Sequence, residues 1–285
     1  MIGAFDPEAV RRRLESSIGL DFHVKLAIEQ AASPMNFFAW RSILHEIVEA
    51  RLVGFGSDAR VEQMLRAIVD ALEPRDWEAE RRVALAAKSP GPGVSDERAR
   101  VDRLGLVGVG CATLAFAAWL RSGEKRTDLF SLAYDHARVA FVHHYGKASK
   151  WPFGAVGSLV ELGCLGERFT EVSALFEAPQ LAKYRELDLP KARTSVELGH
   201  ALALHRLHGR FTDEEIAAAC ERTLRREVVH CLEHSGAGPL AALAYLVAMA
   251  RSDVDGRELL DGMTDYVSYL AKGMAAAPLV DATRS

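Results

Sequence analysis

A chain of 285 residues with 49% hydrophobic content carries enough apolar surface for one large core or two smaller ones, which excludes intrinsic disorder. Its 35 Lys and Arg against 39 Asp and Glu leave a net charge of −4, which gives no general attraction to a phosphate backbone or an anionic membrane, so neither nucleic acid nor membrane is an expected partner. The opening stretch MIGAFDPEAVRRRLESS sets three arginines where a secretory leader needs an apolar run, making a cytoplasmic location the expectation.

Apolar residues recur at three- and four-residue spacing nearly throughout, and alternating β-branched runs are missing, so the expected class is all-α. Asp6 and Pro7 open a helix through Ser17, and a second, short one covers His23 to Ala32. Beyond Pro34, a helix from Met35 to Arg51 carries Phe38, Ile43 and Ile47 on one side. The cluster Gly54, Gly56, Ser57, Asp58 then turns the chain and caps a helix lasting to Leu72, with Pro74 beyond it. Trp77 to Lys88 makes one more helix before Ser89-Pro90-Gly91-Pro92-Gly93, the strongest break in the chain. Residues 89–96 thus form a Pro/Gly linker between an N-terminal helical part, 1–88, and a C-terminal part, 97–274, with a loose tail at 275–285. So short a linker joins packed helices without freeing them, and 1–274 is read as one continuous domain.

After the linker, helical segments are expected at 97–121, 128–145, 152–164, 169–187, 194–208, 213–234, 238–251 and 256–273. Successive pairs of ~40 residues without fixed register describe an irregular stack of antiparallel helical hairpins, of an α/α, solenoid-like kind. Gly123, Gly146, Gly209 and Gly236 each follow a helix and suit a left-handed terminal residue. The sharpest boundary is Phe211-Thr212-Asp213-Glu214-Glu215-Ile216, where Thr212 and Glu215 form a capping box and Phe211 can staple onto Ile216. The uncharged stretches Leu104–Leu120 and Gly236–Ala250 fall short of the roughly 20 apolar residues that span a bilayer, and are read as core helices. Cys111, Cys164, Cys220 and Cys231 lack any CxxC pair and sit in apolar surroundings, as buried reduced thiols do.

Two Glu-x-x-His motifs, Glu197 with His200 and Glu227 with His230, are the main chemical candidates. On a helix this spacing sets a carboxylate and an imidazole on one face, as in di-iron bundles, where two further helices each add a carboxylate. Glu161 and Glu49 are the only such donors on apolar helices, and consecutive motif helices are the wrong order for a ferritin-like bundle. A metal-dependent helical enzyme is therefore one reading, and ordinary helix histidines the simpler one. His143 and His144 end a helix, where imidazoles suit the negative end of the dipole. Gly105, Gly108 and Gly110 have the order G-x-x-G-x-G without a preceding strand, which points to close helix approach rather than a dinucleotide site. There is no GxSxG, phosphate loop, HExxH or EF-hand loop, and no cofactor is implied.

A set of features after residue 100 carries a family likeness. They are the alanine- and glycine-rich helix Leu106–Ala118; Lys150-Trp151 opening a helix with Ala155; Glu167, Arg168, Leu175 and Pro179; a helix His200–His208 with the Gly209–Phe211 turn; and Gly238-Pro239-Leu240-Ala241 leading an apolar helix. In order and spacing this resembles the immunity protein 49 family of bacterial polymorphic toxin systems. The resemblance implies a cytoplasmic antitoxin, without catalysis of its own, that binds and blocks a cognate protein toxin. Partner-binding candidates are loop residues at hairpin ends: Tyr145, Lys147, Lys150, Tyr184 and Arg185. A helical scaffold or regulatory interaction protein of another kind is the alternative.

Overall fold

The computed structural model describes residues 57–192, 194–234, 255, 257, 258 and 261, with the backbone alone at 57–61, 64 and 224–234. The helices expected at 6–17, 23–32, 35–51 and 238–251, the Gly236 turn and the tail lie outside the described residues, as does most of 256–273.

Among the described residues every regular element is helical. Their order is α1 (Ser57–Leu72), α2 (Trp77–Leu85), α3 (Asp96–Ser122), α4 (Thr127–Tyr145), α5 (Phe153–Leu165), α6 (Phe169–Leu175), two 3-10 turns (Pro179–Tyr184 and Leu189–Lys191), α7 (Ser195–His208) and α8 (Asp213–His234). Local chemistry sets most of the ends. Asp76, Ser95 and Thr194 each accept a hydrogen bond from a first-turn backbone N–H of α2, α3 and α7, which satisfies donors that have no partner inside the helix. Gly123 and Gly209 end α3 and α7 at φ +77° and +58°, as expected. At α8 the capping box is complete: Thr212 N–H donates to Glu215 Oε2 at 2.8 Å, and Glu215 N–H donates to Thr212 Oγ1 at 3.2 Å.

Two expectations about helix ends fail. The single helix over 169–187 is instead α6 followed by the 3-10 turn Pro179–Tyr184. Pro179 is the reason: it holds Ala178 extended, at φ −63° and ψ 139°, and offers no N–H to continue an α-helix. Gly146 is right-handed, at φ −59°, and prolongs α4 by donating its N–H to the Val142 carbonyl.

Packing centres on α3, which is flanked by α1, α2 and α4. Helix α5 packs on α4, α7 on α5 and α6, and α8 on α7 and the Leu189–Lys191 turn. One apolar core runs from Leu65 to Cys220, crossing the Pro/Gly segment without interruption. The glycines of α3 make this possible at two points. A Cβ on Gly110 would run into the Trp77 ring of α2, and one on Gly108 would stand 3.0 Å from the His136 Cβ of α4. Gly105 has open space around it and plays no such part. At 27 residues, α3 is the one described helix long and apolar enough to cross a membrane, and most of its apolar stretch is covered by its neighbours.

Sequence-distant residues also meet. Arg257 lies 3.6 Å from the Glu62 carboxylate of α1, and Asp255 faces Gly123 at the end of α3. In a solenoid each repeat touches only its neighbours, so this return of the chain departs from the solenoid-like expectation. Cys111, Cys164 and Cys220 are buried and form no disulfide. Burial pushes each thiol up to about 12, which keeps it protonated and unreactive.

Candidate functional site

Among the described residues, the second half of α4, the turn that follows and the start of α5 carry half of the exposed large hydrophobic side chains, the others being Val83 and Leu85 on α2 and Leu207 on α7. Exposed positions along this half of α4 are Arg138, Val139, Val142, His143 and His144. Helical spacing brings Arg138 beside Val142 and Val139 beside His143. Phe141, on the inner side, is buried, with Trp151 edge-on to its ring at 5.0 Å and Tyr145 tilted against it at 5.5 Å. The turn is pinned from both sides. Trp151 Nε1–H donates to the Tyr145 carbonyl at 3.0 Å, the Ala148 N–H donates to the same oxygen at 2.9 Å, and Gln180 Nε2 donates to the Ala148 carbonyl at 3.1 Å. Lys147 and Lys150 project from this fixed turn into solvent. Phe153, the first residue of α5, remains 49% exposed and Val142 57%.

Charge distinguishes this edge as well. Between Asp135 and Glu161 the chain carries no acidic residue, although the protein as a whole is acidic. Among the described residues, the Glu97 carboxylate borders the edge from α3, with Oε1 3.6 Å from His143 Nδ1.

Of the five partner-binding candidates, the structure brings Tyr145, Lys147 and Lys150 together here. Tyr184 is a correction, since it is a core residue: its ring stands edge-on to Phe176 at 6.2 Å, covered because the 3-10 turn folds back over α6 and α7. Arg185 is exposed, yet its guanidinium is engaged at home, donating to the carbonyls of Phe176 and Glu177 just past α6. The further residues of this edge that the sequence analysis did not single out as candidates are Arg138, Val139, Val142, Trp151 and Phe153. The acid-free run around them is the signal that could have found them.

Among the described residues, the Glu197 and His200 motif belongs to no cluster of metal-ligand side chains. His200 is buried, its ring stacked at 3.9 Å on Phe176 and its Nδ1–H donating to the Tyr184 carbonyl at 3.1 Å. Burial lowers its pKa, and the carbonyl bond opposes that shift. Glu197 occupies the first turn of α7. Glu227 and His230 belong to the backbone-only part of α8, and Glu49 lies outside the described residues. Among those described, no three His, Cys, Asp or Glu side chains gather as ligands. A second buried imidazole, His136, has no hydrogen-bond partner for Nε2 among the described residues. Burial, helped by the charge of Arg81, pushes its pKa down to about 4, so it is neutral near pH 7.

No protein-family model, curated protein or solved structure matches this chain. The likeness to the immunity protein 49 family therefore rests on the residues quoted above.

Proposed function

We propose that this chain is a cytoplasmic, non-enzymatic protein-binding protein of the immunity type, which neutralises a cognate bacterial toxin by occupying its surface. The observation that carries the reading is the α4–α5 edge, where Val139, Val142 and Phe153 stand exposed around a hydrogen-bonded aromatic turn. Exposed apolar and aromatic groups with charges at their rim are the composition of protein interfaces, and a turn already held in place loses little freedom on binding.

The test is co-expression with the product of the adjoining gene. Growth should be rescued and the two proteins should copurify, while Val142→Asp with Phe153→Asp abolishes both and leaves the helical circular-dichroism spectrum intact. An adjoining product that is harmless alone, or that kills equally with and without this chain, overturns the reading.

A further inference from the structure

We infer that the α4–α5 edge takes an acidic segment of a partner protein, an assignment that rests on the protein-binding reading above and adds the chemistry of the partner. Three fixed cations, Arg138, Lys147 and Lys150, stand exposed in a stretch without a single carboxylate, on a molecule of net charge −4. The run from 136 to 160 is thus net positive on a chain that is acidic as a whole, and that sign selects a partner surface bearing Asp and Glu. Exposed Val139, Val142 and Phe153 lie among these cations, so the complementary segment is carboxylate-rich with apolar residues interspersed. Glu97 marks the border on the α3 side.

Nucleic acid fits this edge less well. A phosphate backbone is tracked by a long basic stripe with rings open for base stacking. Here the Trp151 ring is packed edge-on against Phe141, and its Nε1–H is bonded to the Tyr145 carbonyl. The edge offers exposed aliphatic groups and one exposed phenylalanine instead.

A random copolymer of glutamate and tyrosine, fluorescently labelled, serves as probe for the full chain. Anisotropy should report binding that weakens between about 50 mM and about 300 mM salt. Lys147→Glu with Lys150→Glu should weaken it about tenfold, whereas reversing two exposed lysines elsewhere, Lys88→Glu with Lys191→Glu, leaves it unchanged. The unmutated protein provides a second measurement. A carbodiimide, which takes up the water released as a carboxylate and a lysine amine form an amide, should couple the copolymer to Lys147 and Lys150 ahead of Lys88, Lys183 and Lys191. No binding at low salt, equal weakening by both reversals, cross-links spread evenly over the lysines, or tighter binding of oligothymidylate or phosphatidylserine vesicles would each overturn the assignment. Copolymer binding without toxin neutralisation sinks the immunity reading and leaves this one. Neutralisation indifferent to the Lys147 and Lys150 reversals does the opposite.

Discussion

Helix α4 changes character at its midpoint. From Leu129 to Ala137 its side chains are closed in by α3 and α5, with Phe130, Ala133, Tyr134, His136 and Ala137 all buried. From Arg138 onward only Ala140 and Phe141 stay buried, and the outward positions present a cation, two valines and two histidines to solvent. The first half is specified by close fit. Gly108 of α3 admits the His136 Cβ, and Gly166, beyond α5, sits so near the α4 backbone that a Cβ there would come within 2.6 Å of the Ser131 nitrogen. The second half needs only a firm inner row, Phe141 against Tyr145 and Trp151, and its outer row is free to serve recognition. One continuous helix thus transmits core rigidity to an exposed edge.

The contrast between adjacent positions 141 and 142 gives the largest test. Phe141→Ala should destabilise by about 3–5 kcal/mol, since it removes a fully buried ring and leaves a cavity under the turn. Val142→Ser should shift stability by no more than about 0.5 kcal/mol, and urea denaturation distinguishes the two. A comparable loss from both would mean that the edge is part of the core.

Titration probes the closed half. The folded pKa of His136, near 4, lies below its unfolded value, near 6.5, because burial and then the charge of Arg81 disfavour the imidazolium. Its contribution is therefore fully present above pH 6.5 and is lost as the pH falls from 6.5 towards 4, by about 3 kcal/mol in all. His136→Leu should flatten much of this acid slope in urea midpoints measured against pH. His200, shifted in the same direction, should account for part of what remains.

The end of α5 supplies a finer test of fit. Gly166→Ala should cost about 1–3 kcal/mol, because the new methyl meets α4 backbone and no side chain can move aside. Its neighbour behaves oppositely. Glu167 is the one described non-glycine residue at positive φ, +57°, so Glu167→Gly should stabilise by roughly 0.5–1 kcal/mol despite losing a 3.6 Å ion pair with Lys125. Thermal melts of the two variants should move in opposite directions.

That Gly–Glu pair shows where local reading stops. A Gly followed by Glu at a helix end suggests glycine for the left-handed position, yet the chain spends its glycine on the approach to Ser131 and puts glutamate at positive φ. Nothing local distinguishes the two, because the demand comes from α4. Tyr184 is the same lesson at a candidate site: an aromatic residue in a Lys- and Arg-containing turn reads as a surface anchor, but Phe176 and the packing of α7 bury it. Pro179 is different, for its restriction on Ala178 is local and was available to break the 169–187 helix. Tyr145, Lys147 and Lys150 were legible as a turn, while the exposure of Val139, Val142 and Phe153 depends on what the neighbouring helices leave uncovered.

By itself the sequence determined the all-α class and most helix ends, above all Thr212 with Glu215. These depend on periodicity, on proline and on side chains that bond backbone groups three residues away, all short-range effects. Only the tertiary structure decided which apolar faces were covered, which glycine served contact rather than a turn, and that His136 and His200 are packed groups. It also assembled Arg138, Val142, Lys147, Lys150 and Phe153 into one edge, since exposure is a property of what the rest of the chain fails to cover.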